Sequence, residues 1–282
     1  VIAVADSDAD SPVVFAWSQE SIRDNVTKTE WIDRYDGYEL RTFPDELMML
    51  EGFLDYLRER DPDMLIAHAG AWADLPKLYD RLGPLRDDMS PIGTFLPPKK
   101  NGEGYKTTAQ PIKGRLVFDT AAQWTEGSGF EGVWQKSGKG KAQQRKLAWF
   151  AEALDLGHKL TDEIEGMTVF NGWSDYYDDF VDYCLVDTTL LRDIDDKLNC
   201  TSYHLAMQQV CGVQFGSTHN VSRYFRGLIG RHTELKAPTS WIEERPELQA
   251  AWVMPPVAGR HVNVALVDFA SLYPNIIISA NL

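Results

Sequence analysis

Short apolar runs of β type alternate with amphipathic helices across residues 1 to about 198. That alternation constrains the fold more than any other feature, because interleaved strands and helices pack as an α/β sandwich around a mixed sheet. Val1 to Ala5 and Val13 to Trp17 read as two strands joined by Asp6 to Pro12, a β-hairpin. Glu46 to Arg60 carries Leu47, Leu50, Phe53, Leu54 and Leu57 at helical spacing. Met64 to Ala67 reads as a short buried strand, and a turn at Gly70 leads into a helix from about Ala73 to Leu82. Ser90 to Gly114, rich in Pro, Gly and Lys, reads as an exposed hairpin or loop. Arg115 to Asp119 is a further strand and Leu147 to Leu156 a helix. Tyr176 to Leu198 is the strongest helix, with Phe180, Cys184, Leu191, Ile194 and Leu198 on one stripe. Residues 199 to 255, with Pro238, Pro246, Pro255 and Pro256, read as a connector, and His261 to Val267 as a new strand.

A length of 282 residues allows about two domains. Hydrophobic residues are 44% and charged residues 25%, which excludes wholesale disorder. No apolar run reaches the ~18 residues of a membrane span, and no basic segment followed by an apolar one marks a signal peptide. Cys184, Cys200 and Cys211 form no CxxC pair, which argues against a zinc ribbon or a disulfide framework and for a reducing compartment. The net charge of −14 argues against a non-enzymatic nucleic-acid binder. It leaves room for an enzyme that meets nucleic acid through metal ions held by carboxylates. The chain opens at Val1 inside a strand-like run and closes just after Ile276-Ile277-Ile278, and so is expected to be a fragment.

The sharpest chemical signal is the octet Asp268-Phe269-Ala270-Ser271-Leu272-Tyr273-Pro274-Asn275 after the apolar run to Val267. An aspartate at a strand end, followed by a tight turn into a helix, suits metal-assisted phosphoryl transfer. The carboxylate can hold Mg²⁺, and amides at a helix N-terminus can cradle a triphosphate. A lone turn-forming Asp would carry no such reading; the whole octet does.

The octet resembles the first palm motif of the family B DNA polymerases, D-x-x-S-L-Y-P. The resemblance implies that Asp268 binds both catalytic metals and that the Phe269 carbonyl completes one metal site. It implies that the amides of Ser271 and Leu272 hold the incoming deoxynucleoside triphosphate, and that Tyr273 lies under the sugar and excludes ribonucleotides. Upstream, Ala250-Ala251 stands where the family often has Gly-Gly. The resemblance extends to the family's 3′–5′ proofreading exonuclease, an RNase H-like domain using two metals held by three short motifs. The third motif, Y-x-x-x-D, is matched by Tyr183 and Asp187, whose i, i+4 spacing puts both on one helix face. Asp187 would bind a metal and Tyr183 would orient the attacking water. The second motif is matched by Asp61 to Pro76, with Asp74 as metal ligand, but with Ala69 where Asn is usual and Ala73 where Phe is usual. If these residues form one site, the Asp74 and Asp187 carboxylates approach within roughly 4–8 Å, so that bound ions can bridge them.

Two readings of the first motif, D-x-E, stand. Asp6-Ser7-Asp8 is a degenerate copy facing the same pocket, or Asp6 to Pro12 is a hairpin turn with both carboxylates in solvent and the true motif upstream of Val1. The turn is favoured. The segment Trp134 to Lys146 carries five positive charges and no negative one, which makes Lys136, Lys139, Lys141, Arg145 and Lys146 the candidate DNA-backbone contacts. Lys99, Lys100, Lys106 and Lys113 form a weaker second strip.

The expectation is therefore an RNase H-like exonuclease domain at 1–198, a connector at 199–255 and the start of a polymerase palm at 256–282. Mg²⁺ or Mn²⁺ would be the cofactors. Primer-template DNA, a single-stranded 3′ end and deoxynucleoside triphosphates would be the partners, with no membrane and a cytoplasmic location, the host's if the parent is viral or phage-like. A catalytically silent single-strand-binding scaffold and a free-standing 3′–5′ exonuclease are the alternatives. An independent nuclease has no use for the octet.

Overall fold

A computed structural model describes residues 1–17, 31–35, 37–102, 104–108, 110–123, 146–156, 164, 166–168, 171–215, 221–233 and 254–281. The chain divides into two compact units, Val1–Lys236 and Ala237–Leu282.

In the first unit, β1 (Ile2–Val4) and β2 (Val13–Trp17) pair antiparallel, Ile2 opposite Phe15 and Val4 opposite Val13. The intervening turn is a hairpin turn. Asp6 does not point into solvent, however. Its carboxylate accepts the Asp8 amide at 2.9 Å, the Tyr56 hydroxyl at 3.3 Å and the Arg60 guanidinium, while Asp8 is exposed. The exposed Arg60 guanidinium, at the end of the Glu46–Arg60 helix, pairs with it. The Arg60 hydrogen bond, helped by the Asp8 amide, holds Asp6 below the usual carboxylate range.

A second hairpin, β3 (Trp31–Tyr35) and β4 (Tyr38–Phe43), turns at Gly37, whose φ of +98° needs glycine. Because β4 runs parallel to β2, the sheet order is β1-β2-β4-β3. The continuous run Val13-Val14-Phe15-Ala16 is explained by burial on both faces. Val13 and Phe15 pack toward α1 (Glu46–Arg60), alongside Phe53, Leu54 and Leu57. Val14 and Ala16 pack on the other side with Val181. The helix α1 is capped by Asp45, which accepts the Met48 amide at 2.8 Å, and stops at Asp61 in the left-handed region.

Next come β5 (Met64–Ala67), α2 (Asp74–Leu82), a 3-10 helix at Gly83–Met89, the hairpin β6 (Lys99–Asn101) and β7 (Gly104–Lys106), and β8 (Leu116–Asp119). The segment from Ser90 to Gly114 is not simply exposed: Ser90, Phe95, Thr107 and Ile112 are buried. Phe95 bridges to Ile112, so the hairpin stands on an apolar base. Strand β8 runs parallel to β5, with Ala67 opposite Asp119. The buried Arg115 ties this layer to the end of α1, donating to the Met89 carbonyl at 3.1 Å and pairing with Asp61 at 2.9 Å.

The remaining elements are α3 (Thr120–Gln123), α4 (Leu147–Ala153), α5 (Gly172–Asp175), α6 (Tyr177–Leu198), α7 (Cys200–Cys211) and α8 (Val221–His232). The helix α6 spans two cores. Its first half packs Val181 and Leu185 against β1 and β2; its second half packs Leu190 and Ile194 against Phe118, Phe150 and Cys200. The expected single stripe through Phe180, Cys184 and Leu191 is corrected accordingly, since each half must present a different face.

In the second unit, α9 (Leu272–Ala280) is the described helix, and every described residue is exposed. The expected strand from His261 to Val267 is not formed. A strand exists only through a ladder with a partner, and the described residues of this unit offer none. No described helix of the chain is long and apolar enough to cross a membrane.

Candidate functional site

The turn after β5 is built by the strand beside it. Asp119, at the end of β8, accepts three backbone amides: Ala69 at 2.9 Å, Ala71 at 3.0 Å and Ala121 at 3.1 Å. These bonds hold Ala69 at φ +60°, a conformation that asparagine adopts more easily than alanine. Gly70 is required next to it, because a Cβ there would lie 2.6 Å from the Ala67 Cβ. The Gly70 carbonyl accepts the Leu75 amide at 2.9 Å, which starts α2 with Asp74 as its first, exposed residue. Thr120 completes the support: its hydroxyl contacts His68 Nδ1 at 3.0 Å and donates to the Ala67 carbonyl at 3.2 Å. The sequence reading missed Asp119. The signal for it was an acidic residue closing an apolar strand.

On α6, Tyr183 and Asp187 are half-buried one turn apart, near the point where Thr188 Oγ1 donates to the Ala3 carbonyl at 3.4 Å. The Tyr183 hydroxyl hydrogen-bonds the Asp187 carboxylate. Its pKa is pushed well above that of an ordinary tyrosine, first by burial, then by the charge of Asp187 and its hydrogen bond, with Asp74 adding to the same effect. Tyr183 and Asp187 thus form a direct pair on one helix face, with the Asp74 charge the smallest of these effects. Tyr183 also stacks on Phe180, with centroids 5.7 Å apart. Asp187 Oδ1 is buried. Carboxylates such as Asp187 and Asp74 suit a hard divalent cation, which takes oxygen ligands. They supply part of a ligand set; among the described residues no group of three His, Cys, Asp or Glu side chains is placed to hold a metal. Asp6 and Asp8 are tied up at the hairpin turn and at solvent as described above.

Lys146 is exposed and directly precedes α4; Lys136, Lys139, Lys141 and Arg145 lie outside the described residues.

In the second unit, Asp268 lies in a stretch without regular structure and Ser271 is the N-cap residue of α9, in the left-handed region at φ +52°. Asn275 closes the turn, its Nδ2 donating to the Ala270 carbonyl at 3.0 Å. Phe269 and Tyr273 are exposed, and Phe269, Leu272, Asn275 and Ile276 line a shallow groove of about 350 Å³. Asp268 is the one carboxylate among the described residues of this unit.

Comparison with known proteins fits both halves. Residues 4–128 match the exonuclease-domain model of DNA polymerase family B, and residues 215–282 match the model of DNA polymerase family B. The chain is 25% identical to the DNA polymerase delta catalytic subunit of Schizosaccharomyces pombe, over 92% of the chain and 24% of that protein. It is also 25% identical to the DNA polymerase of Pyrococcus glycovorans, over 84% of the chain and 30% of that protein. DNA polymerase 037L of Invertebrate iridescent virus 6 matches at 25% over 43% of the chain and 11% of that protein. The chain thus spans only about a quarter of the length of such relatives. With an exonuclease-type α/β unit followed by the octet at Asp268, the chain belongs to DNA polymerase family B.

Proposed function

We propose that the chain is part of a template-directed DNA polymerase with a proofreading 3′–5′ exonuclease. Residues 1–198 would form the nuclease domain, 199–255 the connector and 256–282 the opening of the palm. One observation carries the nuclease half: the Tyr183 hydroxyl bonds Asp187 one turn away on α6.

Family B polymerases and exonucleases use divalent metals. Here Asp74 and Asp187 would hold Mg²⁺ or Mn²⁺ at the nuclease site, and Asp268 at the palm. Such an ion neutralises phosphate charge and acidifies a bound water. The chain's own groups do the rest. Tyr183 stays protonated far into the alkaline range, so it can orient a water by hydrogen bonding but cannot act as its base. Asp187 fixes the direction of that hydroxyl. The substrate would be the single-stranded 3′ end of a primer-template, with Lys136, Lys139, Lys141, Arg145 and Lys146 on phosphates. In the palm, Phe269, Ser271, Leu272 and Tyr273 would meet the deoxynucleoside triphosphate. Asp268 alone cannot hold two ions, so this chain is expected to incorporate no nucleotide; template-dependent primer extension by it would refute that.

The test uses the 282-residue chain and a 5′-labelled single-stranded oligonucleotide in Mg²⁺ or Mn²⁺. Stepwise 3′ shortening is expected, reduced at least ~100-fold by Asp74→Asn or Asp187→Asn and about tenfold by Tyr183→Phe. Shortening that survives both aspartate changes refutes the site. A second reading, a silent scaffold, draws on Ala69 and Ala73 standing where the family has Asn and Phe. Binding of single strands without metal and without digestion would favour it.

A further inference from the structure

The turn that presents Asp74 also presents an aromatic face. Trp72 lies two residues before Asp74 and is 37% exposed, and the Lys106 ammonium sits over its ring, 4.0 Å from the centroid. The contact is built in. Thr107, next to Lys106, donates its amide to the Ala71 carbonyl at 2.9 Å, which fastens the β6–β7 hairpin to the Asp74 turn.

The hairpin itself is arranged against its own stability. Lys99 stands directly opposite Lys106, and like charges facing each other across strands repel. Lys100 stands opposite Tyr105, which is 57% exposed. Among the described residues no carboxylate forms an ion pair with Lys99, Lys100 or Lys106, in a chain whose net charge is −14. Two opposed lysines beside exposed aromatic rings are what a single nucleic-acid strand needs: cations spaced for phosphates and π-faces for bases.

Resting on the nuclease reading above, we propose that Trp72 and Lys106 form a stacking platform that positions the terminal bases of a single strand beside Asp74. Trp72 takes a base on its exposed face, and Lys106, with Lys99 behind it, takes the adjoining phosphates. Trp72 is a positioning residue and does no chemistry. It also offers a hold on the strand in a turn where Ala69 carries no side-chain amide.

The experiment is fluorescence anisotropy with a short 5′-fluorescein-labelled oligothymidylate and the full chain, in EDTA so that nothing is cut, over a series of salt concentrations. Trp72→Ala is expected to weaken binding about 10- to 100-fold without changing the salt dependence. Trp72→Phe should stay within about threefold of the parent. Lys106→Ala and Lys99→Ala should each lower the slope of log K against log salt by about 0.7. Undetectable binding by the parent chain, or unchanged binding in Trp72→Ala, overturns the platform. So does equal loss in Trp72→Phe and Trp72→Ala, or displacement of the strand by an oligoglutamate of matched charge, which has no base to stack. The two readings separate cleanly. Weakened binding in Trp72→Ala with no 3′ shortening by the parent upholds the platform and removes the nuclease. Shortening with unchanged binding in Trp72→Ala overturns the platform and leaves the nuclease standing.

Discussion

Removing the Asp119 carboxylate is the most direct test of how the Asp74 turn is held. Its two oxygens accept three amides, from Ala69, Ala71 and Ala121, at 2.9–3.1 Å. A hydrogen bond to a charged acceptor contributes about 1.5–3 kcal/mol when buried. Asp119 is only half-buried, so about 1 kcal/mol per bond is the better figure, roughly 3 kcal/mol in all for Asp119→Ala. In a unit of Val1–Lys236, each kcal/mol moves the melting temperature by about 2–4 °C, giving a fall of roughly 6–12 °C. Asp119→Asn keeps an oxygen for Ala69 and Ala121 but turns its own N–H₂ toward the Ala71 amide, so it should lose roughly half as much. Thermal melts followed by circular dichroism give the order parent, Asn, Ala. Hydrogen exchange at the Ala69 and Ala71 amides should accelerate in the same order. An Asp119→Ala protein melting within about 2 °C of the parent would show that the turn holds itself, and the reasoning fails.

Three further outcomes are expected. Ala69→Asn should raise stability by about 0.5–1 kcal/mol, because asparagine tolerates the φ of +60° that alanine resists; urea midpoints measure it. Gly227→Ala should cost at least about 2 kcal/mol and loosen α8 in hydrogen exchange, since the new Cβ would fall 2.0 Å from the Cys211 carbonyl oxygen, which is backbone and cannot swing away. Asp6 has a folded pKa below its unfolded value, so its contribution is present above about pH 4 and lost as pH falls through the folded pKa; Asp6→Asn should flatten the stability profile there, seen in urea titrations at a series of pH values.

Elements whose pattern is local were legible. The β1–β2 hairpin and the helices α1, α2 and α6 follow from alternation and helical spacing, and each lies where its apolar residues demanded. The β3–β4 hairpin was equally local and passed unread, although Asp36-Gly37 between two alternating segments is a strong hairpin signal. Elements whose pattern depends on a neighbour were not legible. Val262-Asn263-Val264-Ala265-Leu266-Val267 has strand composition, yet composition supplies no partner, and Leu266 is 96% exposed. The apolar stripe on α6 was misplaced because a stripe was assumed to face one core. The helix meets two, and the face it needs turns between Val181 and Leu190.

The candidate site divides along the same line. Tyr183 and Asp187 were readable together because four residues on a helix make one face, with no information needed from elsewhere. Asp74 could be named but not positioned, since the turn that leads into it depends on Asp119, which holds the Ala69 amide from 50 residues away in sequence. That dependence rests on strand register. The parallel pairing sets Asp119 opposite Ala67, which brings its carboxylate to the amides two and four residues further on. A shift of β8 by one residue would turn Asp119 to the other face of its strand and set Phe118 where the carboxylate belongs. Register is fixed here by burial: Val117 enters the core under α1, while Phe118 enters the core under α4 and α6. The turn that leads into Asp74 is therefore decided by two apolar side chains of the neighbouring strand.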